Sequence, residues 1–324
     1  MARLARTPVG LAESDDLRLR AAWLYYSRGM IQREIADRLG VSRSTVIRML
    51  EEARRRGEVQ ITIEAVPEEC TALAVELEQA LGIAEAIVVP GSGTPDETAR
   101  DVGAALGRFL SDVVADDMVI GVGWGRTLDA ALGSFRPHRR VGVRVLSLLG
   151  GLVEARELNP VDVAWNMASR LDARCLMLLA PLIVDSAETK RRLMDKCGLD
   201  RLAELARRMD LAVISCGDVG AQGSSLSQGV LTEAEANALV AAGAVCDTLC
   251  QFLDANGRTV DHAVHERVMA IDLDHVATAR HVVLASGGAH RARAIGATIA
   301  RVGCGTLITD EAAAQALLAG QPSA

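Results

Sequence analysis

Residues Gln32–Leu50 read QREIADRLGVSRSTVIRML. Ile35, Ala36 and Leu39 fall on one helical face, and Gly40 breaks the run. Ser42 is placed to cap a second helix, whose inward stripe is Val46, Met49, Leu50 and Ala53. At 100° per residue, Ser44, Arg48 and Arg55 point away from that stripe, Thr45 and Ile47 flank them, and Arg43 stands at the entry turn. Two short helices with a glycine turn and a basic, hydroxyl-bearing outer face form a helix-turn-helix. The first turns of its second helix reach base edges in a DNA groove. Arg donates two bonds to guanine, and Ser or Thr pairs with an edge or a phosphate. Gln32 and Arg33 open the preceding helix, where amides can grip a phosphate, and Arg54–Arg56 add charge. The candidate DNA-binding set is Gln32, Arg33, Ser42, Arg43, Ser44, Thr45 and Arg48, and the expected partner is double-stranded DNA. A small helical bundle with a solvated Arg face is the alternative. The Gly turn, the Ser cap and the small Ala36 at the crossing favour the DNA reader.

Upstream, Leu17, Ala21, Leu24 and Tyr25 make a stripe over Asp15–Arg28 that Gly29 stops, with residues 1–14 expected as a loose tail. Downstream, Val59, Ile61 and Ile63 alternate as a strand within Glu58–Ala65, and Pro67 marks a boundary. The expected domains are 1–66, carrying the helix-turn-helix, and 67–324. A chain of 324 residues, half of them hydrophobic, has the length and apolar content for two such units.

Net charge is −7, unevenly spread: residues 1–58 carry 12 Arg against 8 acidic residues, and the acidic excess lies in the remainder. A basic head on an acidic body fits a local nucleic-acid contact and not general coating of polyanions. The seven Cys (70, 175, 197, 216, 246, 250 and 304) include no CxxC pair, and the nearby His262, His265 and His275 lack a further ligand, so no metal is expected. The odd number of thiols and the absence of an apolar signal core or membrane-length run lead to the expectation of a cytoplasmic protein.

Beyond Pro67, helical stretches alternate with apolar runs. The runs are Ala86–Val89, Met118–Val122, Val143–Leu149, Ala173–Ala180, Leu211–Ser215, Thr248–Leu253, His281–Ala285 and Thr306–Thr309. Buried strands alternating with helices predict an α/β fold with a Rossmann-like parallel sheet. Four of the runs lead into turns rich in Gly: Gly121-Val-Gly123-Trp-Gly125-Arg126-Thr127, Gly150-Gly151, Ser215-Cys216-Gly217-Asp218 and Ser286-Gly287-Gly288 leading to Arg291 and Arg293. Gly123, Gly125, Gly150, Gly151, Gly287 and Gly288, with Arg126, Thr127 and Arg291, are the candidate walls of a polar-ligand pocket. Each turn alone is explained by a tight strand-to-helix connection; the set, with Arg and Thr beside it, favours a ligand. A nicotinamide cofactor is not expected, because the dinucleotide spacing fails at Arg126 and no acid closes the next strand, and no other cofactor is indicated. Asp247 has two readings, a hydrogen-bond acceptor for sugar hydroxyls or a capping group within the core. Cys216 has no activating His nearby in sequence, and no nucleophile elbow occurs, so no catalytic residues are expected.

The run Ala21–Ile63, with Tyr25, Tyr26, Gly29, Gln32, Ile35, Ala36, Leu39, Ser42, Arg43, Arg48, Leu50, Ala53, Arg54 and Gly57, resembles the opening of the SorC/DeoR-type sugar-binding transcriptional regulators. GVGWGRTL, LLGGL, Leu179–Pro181, GAVCDTLCQFLDANGRTV, ASGGAHRARAI and LITDEAAAQALL extend that resemblance over nearly the whole chain. It implies an operator-binding regulator whose large domain, similar to sugar-phosphate isomerases and glucosamine-phosphate deaminases, binds a sugar or sugar phosphate without turnover. It also implies homodimers or homotetramers, with Arg126, Thr127, Asp247 and Arg291 as effector contacts. The rival is a sugar-phosphate isomerase or deaminase with a DNA-binding appendage. This sequence departs from the pattern at three places. Ile31 stands where a capping Thr is usual, so the cap of the first motif helix must come from elsewhere or be weaker. Arg291 replaces a Lys, and Cys216 interrupts a GIG turn.

Overall fold

The computed structural model describes residues 9–56, 58–59, 67–91, 93–137, 139–155, 158–220 and 223–320. The chain divides into two compact units, Met1–Glu64 and Ala65–Ala324. In the first, α1 (Val9–Ala22) continues through a π-helical turn, Trp23–Ser27, before α2 (Gln32–Leu39) and α3 (Arg43–Arg55). The helix begins at Val9, inside the segment expected to be loose. Gly29 (φ 68°) and Gly40 (φ 68°) supply the left-handed turns that separate the helices. Ala21, Leu24, Ile35, Ala36, Val46, Leu50 and Ala53 form the core of this unit. The strand expected over Glu58–Ala65 lies, apart from Glu58 and Val59, outside the described residues.

Arg18 is a charged residue inside this small unit. Its Nε and Nη2 donate to Glu58 at 2.8 and 2.5 Å, a two-pronged bond that ties α1 to the chain leaving α3.

The second unit runs α4 (Glu68–Leu81), β1 (Glu85–Val89), α5 (Pro95–Val113), β2 (Val119–Val122), α6 (Arg126–Ser134), β3 (Arg144–Ser147), α7 (Pro160–Leu171) and β4 (Arg174–Leu176). It continues with α8 (Ala187–Lys196), α9 (Asp200–Ala206), β5 (Leu211–Ile214), α10 (Ser224–Ser227), α11 (Glu233–Ala241), β6 (Cys246–Thr248) and β7 (Gln251–Leu253). It closes with α12 (Leu273–Ala277), β8 (His281–Ala285), α13 (Ala292–Val302), β9 (Thr306–Asp310) and α14 (Glu311–Ala319). Seven strands form one parallel sheet in the order β1-β9-β8-β5-β2-β3-β4, with apolar cores on both faces. β2 and β5 are its centre: the chain winds outward through β3 and β4 on one side, then returns and winds through β8 and β9 on the other. A crevice at the carboxyl ends of β2 and β5 is the topological switch point where α/β folds hold ligands.

One expected strand is corrected. Thr248–Leu253 does not join the sheet; β6 and β7 form a separate antiparallel hairpin. Leu249 (φ 54°) and Cys250 (φ 57°) make its two-residue turn in left-handed conformation. Asn and Gly favour such turns, and neither is present to signal it.

α5 and α6 cross closely because α5 carries Gly103 and Gly107. A Cβ on Gly107 would stand 2.2 Å from the Ala131 carbonyl oxygen, and one on Gly103 2.6 Å from that of Thr127. This crossing fixes where α6 begins.

Candidate functional site

The crevice between the ends of β2 and β5 opens into a cavity of about 400 Å³. From β2 the chain passes Gly123 and Trp124 to Gly125, whose φ of 140° turns it into α6. No side chain caps α6, so its first amides are free to meet an anion or a hydroxyl oxygen. Gly125, Arg126 and Thr127 line the cavity, with Trp124, Leu149, Leu158 and Leu249 as apolar wall. Across from them, Ser215, Cys216 and Gly217 follow β5, and Ser227, Gln228, Asp247, Cys250 and Arg291 complete the lining.

Arg126 Nη1 reaches Asp96 Oδ1 on α5 at 2.5 Å. Both side chains are exposed, and an ion pair in water contributes about 0–1 kcal/mol, so this arm can be redirected. Arg291 is mostly buried, and its Nε lies 3.8 Å from Asp218, too far for a hydrogen bond.

Asp247 joins the two readings given to it. Its Oδ1 accepts from the Cys250 amide at 2.8 Å and its Oδ2 from the Ser225 hydroxyl, so it braces the β6–β7 turn against α10. It also faces the cavity, with lone pairs to spare. Burial pushes its carboxyl up to about 6, against the downward pull of Ser225 and the Cys250 amide. Burial, and secondarily the Asp247 charge, push the Cys250 thiol far up, so it is a wall and not a nucleophile.

The cavity therefore gathers Gly125, Arg126, Thr127, Asp247 and Arg291 from the expected set. The remaining glycines stand behind it. Gly123 donates to the Val213 carbonyl and makes room for Leu249. The Gly150 and Gly151 amides donate to Met269 and Ala180, and Leu149 reaches the cavity in their place. Gly287 lets the chain pass Thr98, and the Gly288 amide donates to Asp310 Oδ1 at 2.7 Å. Gln228, Ser227 and Leu158 were not singled out by sequence reasoning. Leu158 and Gln228 lie on connecting loops and Ser227 ends the four-residue α10, so no periodicity marks them. Two of the three clustered histidines already use a ring nitrogen as acceptor, His262 from Val264 and His265 from Phe252.

In the first unit, Arg43, Ser44 and Arg48 are exposed on α3, and Thr45 is half-buried. Ser42 caps the helix through the Thr45 amide at 3.1 Å, so its hydroxyl is partly committed to structure. Gln32 accepts from Arg43 at 3.3 Å, and a hollow lined by Gly29, Gln32, Arg33 and Arg43 lies at the start of α2. Ile31 has no cap oxygen; Glu34 reaches back to its amide at 3.1 Å, which supplies the missing cap from the other direction. Arg55 and Arg56 both bind Glu52 and hold its carboxyl down at about 2.

Residues 66–319 match the family described as "Putative sugar-binding domain", and residues 12–61 match a homeodomain-like helix-turn-helix family. The erythritol catabolism regulatory protein EryD of Brucella abortus is 32% identical over 97% of this chain and 99% of its own. The deoxyribonucleoside regulator of Bacillus subtilis is 29% identical over 94% of this chain and 98% of its own. In fold, the full-length sorbitol operon regulator SorC of Klebsiella pneumoniae superposes with a TM-score of 0.71 at 23% identity, covering 94% of this chain and 99% of that one. With the helix-turn-helix, the seven-stranded sheet and its switch-point cavity in place, the chain belongs to the SorC/DeoR-type family of sugar-binding transcriptional regulators.

Proposed function

We propose that Arg43, Ser44, Thr45 and Arg48 of α3 read an operator in double-stranded DNA, with Gln32 and Arg33 on phosphates. A carbohydrate or polyol, free or phosphorylated, held in the switch-point cavity controls that binding. The observation that carries this reading is the convergence of the uncapped start of α6, Asp247 and Arg291 on one cavity. Such a wall offers amide and guanidinium donors together with a carboxylate acceptor, the complement of a polyhydroxy ligand. The names of the relatives, which refer to erythritol and deoxyribonucleosides, support that ligand class.

Binding without turnover is favoured by the lining itself. Among the described residues it holds no His, and the one carboxylate on it, Asp247, is already hydrogen-bonded to Ser225 and Cys250, so they present no acid–base pair to the ligand. A homodimer or homotetramer is the assembly that this function calls for, because a single helix-turn-helix covers too little DNA for tight specific binding. Effector binding then shifts the population between assemblies that match the operator spacing and assemblies that do not. The same reading puts the protein in the cytoplasm, beside the DNA.

Fluorescence anisotropy with a labelled DNA fragment from upstream of the gene tests the whole reading. Polyols and sugar phosphates are titrated against the complex. A change in operator affinity with at least one of them is expected; release of product from a sugar phosphate, at constant operator affinity, would establish the enzymatic rival instead.

A further inference from the structure

Two buried polar side-chain atoms on the cavity wall have no hydrogen-bond partner: Gln228 Oε1 and Arg291 Nε. Nearly all buried polar atoms in folded proteins are paired, and leaving one unpaired is unfavourable. The two atoms have opposite needs, since Oε1 requires a donor and Nε–H an acceptor. The backbone around Gln228 is firmly held. The Val230 and Leu231 amides both donate to the Ser225 carbonyl, the Gly229 amide donates to that of Leu226, and the Ser225 hydroxyl is fastened to Asp247. Gln228 is thus presented by a rigid turn, and little ordering is needed when a ligand arrives.

We infer that Gln228 is a specificity-determining residue of the effector site. Its carboxamide oxygen accepts the proton of a ligand hydroxyl, while Arg291 Nε donates to another oxygen of the ligand. This rests on the carbohydrate reading above and sharpens it. A hydroxyl-bearing carbon chain satisfies both atoms. A phosphate dianion satisfies Arg291 and, with the carboxamide oriented as it is here, sets lone pair against lone pair at Gln228. In a phosphorylated effector, Gln228 therefore reads the hydroxylated chain, and the phosphate group lies elsewhere in the cavity.

The test is calorimetric titration of the full-length protein with erythritol, ribitol, sorbitol, ribose 5-phosphate and 2-deoxyribose 5-phosphate. It is run on wild type, Gln228→Met and Gln228→Glu, with ligand-free melting curves for each. Met keeps the length and removes the acceptor; Glu keeps the acceptor. For each compound that binds wild type, Gln228→Met is expected to weaken binding at least tenfold and Gln228→Glu by less than threefold. Equal affinity in wild type and Gln228→Met would overturn the role of Gln228 and leave the carbohydrate reading standing. Absence of binding to wild type across the panel would overturn that reading and this inference with it. If Gln228→Met does not fold, the Glu variant decides, since loss of binding there would show that the oxygen acceptor is not what the ligand uses.

Discussion

Arg48 stands exposed on α3, opposite the buried Val46, Leu50 and Ala53. A guanidinium in that position does nothing for the fold and can do much for base recognition. Arg48→Ala is expected to leave the melting temperature unchanged and to weaken specific operator binding by about 1–3 kcal/mol, roughly five- to a hundred-and-sixtyfold. An electrophoretic mobility assay with specific and scrambled duplexes checks it, and unchanged affinity for the operator would remove Arg48 from the reading face. Asp247 makes a different kind of prediction. Its carboxyl sits at about 6 in the fold, above an unfolded value of about 3.9. As pH rises through that window the unfolded chain loses its proton first, so a stability contribution that is fully present below about pH 4 is lost progressively up to about pH 6. The loss is on the order of 2–3 kcal/mol. Urea denaturation of wild type and Asp247→Asn between pH 4 and 7 reads it as a difference that shrinks toward acid pH and is largest near neutrality.

At the level of elements, two contacts decide whether the sites are presented at all. Arg18, 5% exposed, is held by Glu58 through two hydrogen bonds. Glu58→Ala removes that two-pronged bond from a buried guanidinium, which should destabilise the first unit by about 3 kcal/mol. Circular dichroism melts of the isolated pair of variants Glu58→Ala and Glu58→Gln, each in the full-length protein, measure it, with Gln the milder of the two. The α5–α6 crossing is the second contact. Gly107→Val forces the helices apart at Ala131, and the strain is expected to lower stability by about 1–3 kcal/mol. Because α6 starts at the cavity, effector affinity should fall as well, measurable by the same titrations used for Gln228.

Over the whole molecule, two recognition helices on one duplex are expected to meet half-sites about 10 base pairs apart, or a multiple of that. Hydroxyl-radical footprinting should show a pseudo-palindromic pattern, and operator affinity should fall steeply with salt, by about a thousandfold from 50 to 200 mM. A footprint of a single half-site would point to a monomer on DNA. Much of this architecture was legible in the sequence because its signals are local. Helical periodicity, Gly29, Gly40 and the Ser42 cap draw the helix-turn-helix, and apolar runs ending at glycines draw the sheet. What escaped was set by distant partners. Gly150, Gly151 and Gly288 read as candidate pocket walls, and only the fold shows their amides donating to Met269, Ala180 and Asp310. Gln228 carries no pattern, and only the fold brings it to the cavity.

The Leu249–Cys250 tip bears on how the protein can be re-engineered. Two side-chain-bearing residues hold left-handed backbone there, a conformation that costs each on the order of 1 kcal/mol and that Asn-Gly would adopt with ease. Yet Leu249 reaches across to Gly123 and forms part of the apolar wall. Laboratory selection for heat resistance should draw this pair toward Asn-Gly, and selection for a tighter or more discriminating biosensor should draw it back. The tip is where those two lineages would diverge.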